Sequence, residues 1–373
     1  MNEPGYEINQ GSLGAPTLRV IRQFRGARLD FEKWFASNGI TVRVIGQRES
    51  GKSLTLELLG LMALRRGCAV LDIAAARDSE CMAPLLAFPE KVRLIVSDAC
   101  IMTSKKVELH TIPISDFRLP EDGLWYVLPR AGFPSEAAYL RAMKRIIENL
   151  WASDEWVKPR WLLLREAQIL LSSISRTTGS RAQRESSDAL QQLNSEGRHH
   201  GLSIILDSQR EIEVARSLRK ISDVLIVKRL GDWIDFPEDL RYIFAEIEPA
   251  AFRFCPINKA YVFTSLGQIA FVDVDFVPFH HQRGRSILNI LDIRVSFTEQ
   301  SLGMESELRG RFDSRVAVLP EAHREIVRLR DVEKSSFDAI ALKLGLAPST
   351  AKLHYNRHRF ALSNGLPCPN CSH

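Results

Sequence analysis

The chain has 373 residues, of which 45% are hydrophobic and 25% charged, a composition of ordinary globular protein that excludes a disordered class. Lysine and arginine number 50 against 45 acidic residues, a net charge of +5 that by itself does not point to nucleic acid. At this length a substantial core can be buried, and one large domain plus a smaller one is expected.

Six cysteines, Cys68, Cys81, Cys100, Cys255, Cys368 and Cys371, are mostly scattered through apolar stretches, which suggests reduced thiols and a cytoplasmic location. No apolar run reaches the roughly 20 residues that span a bilayer, and the first residues lack a basic-then-apolar signal pattern.

In chain order, residues 1–38 read as a leader with a short amphipathic helix around 29–35. The Asn38-Gly39 pair then turns the chain into an apolar strand, 40–45. Next comes Gly46-Gln47-Arg48-Glu49-Ser50-Gly51-Lys52-Ser53, which fits the phosphate-binding pattern G-x-x-x-x-G-K-[ST], followed by a helix over 54–64. Strand, loop and helix together supply the mechanism. Loop amides and the positive helix end wrap a β-phosphate, Lys52 neutralises the β/γ oxygens, and the Ser53 hydroxyl is placed to ligate Mg²⁺. The expected nucleotide set is Gly46, Gln47, Arg48, Glu49, Ser50, Gly51, Lys52, Ser53 and Leu54, and the expected cofactors are ATP and Mg²⁺.

Further strands are expected at 68–72, 92–96, 124–128, 161–164, 202–206 and 224–227, with the clearest helix at 137–151. Nearly continuous apolar strands separated by helices predict a parallel sheet covered on both faces. A hairpin over 261–276 closes the module, giving an ATPase domain of 39–280 and a polar linker of 281–318 with one strand near 287–295.

Trp161 to Leu164 is followed by Arg165-Glu166, where glutamate-dependent NTPases usually carry Asp-Glu. With this, residues 40–280 resemble the FtsK–HerA superfamily of DNA-pumping ATPases. The strongest likeness is the stretch 190–210, with its Gly197-Arg198-His199-His200-Gly201 turn, apolar strand and Ser208-Gln209-Arg210 end. The resemblance implies an α/β, RecA-like (ASCE) P-loop domain. It implies Glu166 as catalytic base, Gln209 as γ-phosphate sensor and Arg198 as an arginine finger acting across a subunit boundary. Rings, commonly hexamers, acting on double-stranded DNA are implied as well, with a nuclease, capsid or transfer apparatus as partner. Arg165 departs from the pattern because a cation cannot hold Mg²⁺. Asp207, at the end of the adjacent strand, is the candidate replacement, with Asp72 a weaker one.

The C-terminal part, 319–363, reads as three helices: 320–329, 337–345 and one opening at Ser349. It resembles the helix-turn-helix of sigma-factor region 4. Ser349, Thr350, Lys352, Tyr355, Arg357 and Arg359 are then expected to face a DNA groove or phosphates. In the tail, 364–373, Cys368 and Cys371 combine with His354 and His358 as a candidate Cys₂His₂ zinc set, against the plainer reading of two free thiols. The function expected is an ATP-hydrolysing DNA translocase used in packaging or transfer. The alternative is a nucleotide-switched DNA-binding regulator or partitioning factor with little turnover, which Arg165 favours.

Overall fold

The computed structural model describes residues 16–36, 39–74, 81–151, 160–167, 185, 188–189, 192, 201–208, 222–231, 247–279, 286–298, 320–331, 333, 335–344, 351 and 355. The chain divides into two compact units, Met1–Phe297 and Thr298–His373.

The first unit is built on a sheet of eleven described strands in the order β1-β12-β11-β10-β2-β9-β8-β3-β7-β4-β6. Its central strands are β2 (Thr41–Ile45), β3 (Ala69–Ala74), β8 (Arg160–Arg165), β9 (Leu202–Ser208) and β10 (Val224–Val227), all parallel where they pair. The parallel part continues through β7 (Trp125–Leu128), β4 (Val92–Val96) and β6 (Thr111–Pro113). Beyond β10 the sheet turns antiparallel: β11 (Lys259–Thr264) and β12 (Ile269–Val274) form the expected hairpin, and β1 (Leu18–Arg25) closes the edge. Among the described residues this is the mostly parallel α/β sheet with covering helices that the sequence led one to expect, in RecA-like order.

Both sheet faces are buried, and alternate side chains along each strand divide between two clusters. Val44, Val70, Trp161, Leu163 and Ile205 join Leu54, Leu56 and Leu58 of helix α2 (Lys52–Arg65) on one face. Leu71, Ile73, Leu162, Leu164 and Leu206 join Tyr139, Met143 and Ile146 of helix α3 (Glu136–Trp151) on the other. Helix α3 is amphipathic and lies on the sheet with one face. Helix α2 is apolar nearly all round, and its residues from Leu54 to Leu64 are all buried, so it is a core helix rather than a surface one. The period of two along β8 and β3 therefore places Arg165 and Asp72 on the α2 face.

Helix α1 (Glu32–Ala36) overlaps the stretch expected to be helical, starting later and ending one residue beyond it, and puts Trp34 and Phe35 into the α2-face core. The segment before it holds β1, a strand not anticipated because its apolar residues alternate with Arg19, Arg22 and Arg25, as suits an edge. The strand expected near 287–295 is instead a short helix, α5 (Ile287–Ile290), followed by β13 (Ile293–Phe297). That strand pairs antiparallel with β5 (Cys100–Ser104) in a separate two-stranded sheet. Helix α4 (Pro249–Arg253) precedes β11.

In the second unit, helices α6 (Pro320–Asp331) and α7 (Phe337–Leu344) lie at the expected positions. Ile326, Leu329, Ile340 and Ala351 form their buried core, with Phe337, Leu344 and Tyr355 packed against it. Among the described residues no helix is long and apolar enough to cross a membrane.

Candidate functional site

The 46–51 loop leaves the C-terminal end of β2, which pairs in parallel with β9 on one side and β10 on the other. Its two glycines are required by contact. A Cβ on Gly46 would stand 2.5 Å from Ser50 Oγ and 2.8 Å from Lys228 Cβ. One on Gly51, whose φ is +88°, would stand 2.5 Å from the Ile257 carbonyl oxygen. Gly51 in this left-handed conformation turns the chain into α2 at Lys52.

Neighbouring strand ends brace the loop. The Gly46 amide donates to the Ser208 carbonyl at 3.3 Å, and the Gln47 amide donates to the Arg229 carbonyl at 2.8 Å. Arg229 Nη2 reaches back to the Glu49 carbonyl at 3.2 Å. Lys52 is buried and folds over the loop, its Nζ donating to the Gln47 carbonyl at 2.9 Å. Ser50 Oγ is buried and has no hydrogen-bond partner among the described residues. A glycine-bounded loop at a helix N-terminus with a buried lysine suits an anion, and the residues fit the phosphates of a nucleotide.

Arg165 does not reach toward the loop. Its guanidinium binds both oxygens of Asp72, Nε to Oδ1 and Nη2 to Oδ2 at 2.8 Å each, and Nη1 lies 3.3 Å from Glu57 Oε1 of α2. All three side chains are buried. Asp72, considered above as a metal-side acid, is thus engaged by Arg165. The buried cluster bolts β8 and β3 to the helix that carries Lys52 and Ser53.

Asp207, at 3% exposure, lies near the end of β9, the strand beside β2, and interacts electrostatically with Lys52. It accepts a short hydrogen bond from the Glu166 amide. Burial pushes its pKa up to about 6, while the charge of Lys52, the Glu166 amide and Arg165 oppose the rise. Asp207 therefore sits under the joint influence of the loop lysine and the Arg165-Glu166 turn. Its carboxylate and the Ser53 hydroxyl are hard oxygen donors that fit Mg²⁺.

Glu166 follows β8 with φ at 52°, and Glu49 in the loop has φ at 63°; they are two of the three described non-glycine residues at positive φ. Side chains in this conformation cost about 1–3 kcal/mol unless their surroundings hold them, and such residues gather at functional sites. Here the Asp207 hydrogen bond is one such restraint.

Sequence reasoning missed Lys228 and Arg229, although two cations directly after the buried strand β10 were a usable signal. Gln209, Arg198, Ser349, Thr350, Lys352, Arg357, Arg359, His354, His358, Cys368 and Cys371 lie outside the described residues. Tyr355, expected at the groove, has its ring 5.7 Å from that of Phe337 and its hydroxyl donating to Asp331 in a short hydrogen bond. Among the described residues no group of three or more His, Cys, Asp or Glu side chains is arranged to hold a metal.

Strand order, loop and buried helix define a P-loop nucleotide-binding domain of RecA-like fold. Residues 309–359 match the family model described as Sigma-70, region 4. Similar solved structures include the genome packaging NTPase B204 of Sulfolobus turreted icosahedral virus 2 in complex with AMPPCP. It is 16% identical, covers 65% of this chain and 100% of its own, and has a TM-score of 0.38. The pCW3 conjugation coupling protein TcpA with ATPγS is 12% identical over 71% of this chain and 68% of its own, with a TM-score of 0.42. VirB4 of Thermoanaerobacter pseudethanolicus is 11% identical over 65% of this chain and 91% of its own, with a TM-score of 0.43. These superpositions are loose, and the fold class rests on the strand order and loop described above. No curated protein matches the chain.

Proposed function

We propose that the chain is an ATP-hydrolysing motor of FtsK–HerA type that moves double-stranded DNA. The observation that carries this reading is the placement of Asp207, a buried carboxylate next to the Glu166 turn and within the field of Lys52. A position filled by Arg165 would otherwise leave the site without a metal-side acid. In this reading the loop amides hold the phosphates, and Lys52 exchanges the Gln47 carbonyl for the terminal phosphate oxygens. Glu166 orients the attacking water and takes its proton as the bond to the γ-phosphorus forms and the bond to the β-phosphate oxygen breaks. Ser53 and Asp207 would hold Mg²⁺, which when bound supplies positive charge to the phosphate oxygens. Gln209 senses the γ-phosphate, and Arg198 reaches the site of a neighbouring subunit in a hexameric ring.

The sigma region 4 match supports a duplex-binding role for the C-terminal unit, which loads or orients the motor. Ser349, Thr350, Lys352, Arg357 and Arg359 contact the DNA, while Tyr355 pins the third helical segment to the other two through Phe337 and Asp331. A nuclease, capsid or transfer apparatus is the partner class. The test is ATP turnover of the full chain with and without long duplex DNA. Stimulation by DNA that vanishes in Glu166→Gln and Lys52→Ala is expected; binding of ATP and DNA with no turnover would sink the motor.

The second reading, a nucleotide switch with little turnover, is favoured by the buried Arg165–Asp72–Glu57 cluster, which commits the usual metal-side position to a structural bond. Nucleotide-dependent DNA affinity without phosphate release is the outcome it requires.

A further inference from the structure

Lys228 follows β10 and is fully buried. Its amide donates to the Ile45 carbonyl at 2.8 Å, which fixes its backbone beside the point where the chain leaves β2 for the loop. From there the side chain runs along the loop. A Cβ on Gly46 would come within 2.8 Å of Lys228 Cβ, and one on Gly51 within 3.3 Å of Lys228 Cε. The stem thus spans the loop from its first glycine to its last. At the far end Nζ donates to the Ile257 carbonyl at 2.8 Å. That carbonyl is the one that stands 2.5 Å from the Cβ position of Gly51.

A lysine withdrawn from water ordinarily requires an anion, yet this head group meets a carbonyl. The titratable groups acting on it are Cys255, after α4, and Lys52, at the head of α2. Burial holds the Cys255 thiol up at about 11, so it supplies no negative charge at neutral pH. Burial, reinforced by the charge of Lys52, brings Lys228 down to about 7. The side chain is therefore largely neutral at pH 8, and an arriving polyphosphate favours its charged form.

We propose that Lys228 is a positioning residue of the nucleotide site, a splint that holds the 46–51 loop against Ile257 and takes up a proton from solvent when phosphates fill the loop. The proposal rests on the reading of that loop as a nucleotide site. It differs from the role of Lys52, which meets the phosphates directly.

The test is calorimetric titration of the full chain with Mg-ADP at pH 8.0 in Tris and in HEPES, whose ionisation enthalpies differ. At that pH Asp207 is already ionised, so it does not mask the signal. Wild type is expected to take up roughly half a proton or more on binding. Lys228→Met is expected to abolish the uptake and weaken binding by about tenfold. Lys228→Arg keeps donor and charge and should restore affinity without uptake. Binding by wild type with no proton exchange, or uptake that persists in Lys228→Met, overturns the proposal. If Lys228→Met fails to fold, the two-buffer titration of wild type decides alone. Binding that is lost in Lys52→Ala but unchanged in Lys228→Met removes this proposal and leaves the site standing; absence of binding in wild type removes both.

Discussion

Arg165, the last residue of β8, reaches back along the sheet to Asp72 within the adjacent strand β3, joined to it by two hydrogen bonds of 2.8 Å in a fork-to-fork pair. Such bidentate pairing fixes geometry as well as charge. Removing the cation leaves Asp72 and Glu57 buried without their guanidinium. Arg165→Met is expected to cost about 3–5 kcal/mol in urea unfolding. Combining it with Asp72→Asn and Glu57→Gln should restore most of that loss. A single variant as stable as wild type would show that the cluster contributes nothing to the fold.

Asp207 links stability to pH in a direction opposite to that of a salt-bridged acid. Its pKa rises from 3.8 to about 6 on folding, so the folded chain binds the proton more tightly than the unfolded one. The carboxylic acid form is compatible with burial; stability falls as pH climbs from about 4 to 6, by about 3 kcal/mol in total, and stays lowered above that. Asp207→Asn is therefore expected to be more stable than wild type at pH 7.5, while ATP turnover falls by at least about a hundredfold. Thermal melting at pH 4.5 and 7.5 beside a phosphate-release assay checks both halves.

Gly51 combines a φ of +88° with a backbone oxygen 2.5 Å from where a Cβ would lie. Gly51→Ala must shift the 255–258 segment or the loop itself. Because the oxygen belongs to the main chain, no side-chain rotation relieves it. Expected results are a loss of about 2–4 kcal/mol and no measurable nucleotide binding. Retention of wild-type affinity would show that the loop tolerates a different course.

In the C-terminal unit the two roles separate by experiment. Tyr355→Phe removes the hydrogen bond to Asp331 and should lower protection of α6 and α7 in hydrogen exchange by about 1 kcal/mol. Lys352→Ala should weaken binding to all duplex sequences alike and reduce the salt dependence of affinity by about one ion. A sequence-specific loss in Lys352→Ala would instead assign that residue to base edges.

The loop was legible in the sequence because its chemistry is written in eight consecutive residues and its flanks in the ten on either side. The six expected strands and helix α2 were legible because burial on both faces writes continuous apolar runs, and helix α3 because its apolar residues recur on one face. Arg165 could be seen as a departure, but its partners could not, since they lie 93 and 108 residues away. Strand β1 escaped because an arginine-rich edge strand looks like polar leader, and β5 because its pairing with β13 joins distant segments; β13 itself was expected, though with an earlier start. Lys228 was hidden by its own burial, for a charged residue after a strand reads as solvent-facing until the fold encloses it.

Strand β9 lies between β2 and β8, so the lysine-bearing loop and the Glu166 turn are held two strand intervals apart. With strands at about 4.8 Å spacing, that is a gap of roughly 10 Å. Direct adjacency would close it to half, too narrow for a phosphoryl group with a water molecule behind it. The inserted strand acts as a ruler, and the tip of that ruler carries Asp207.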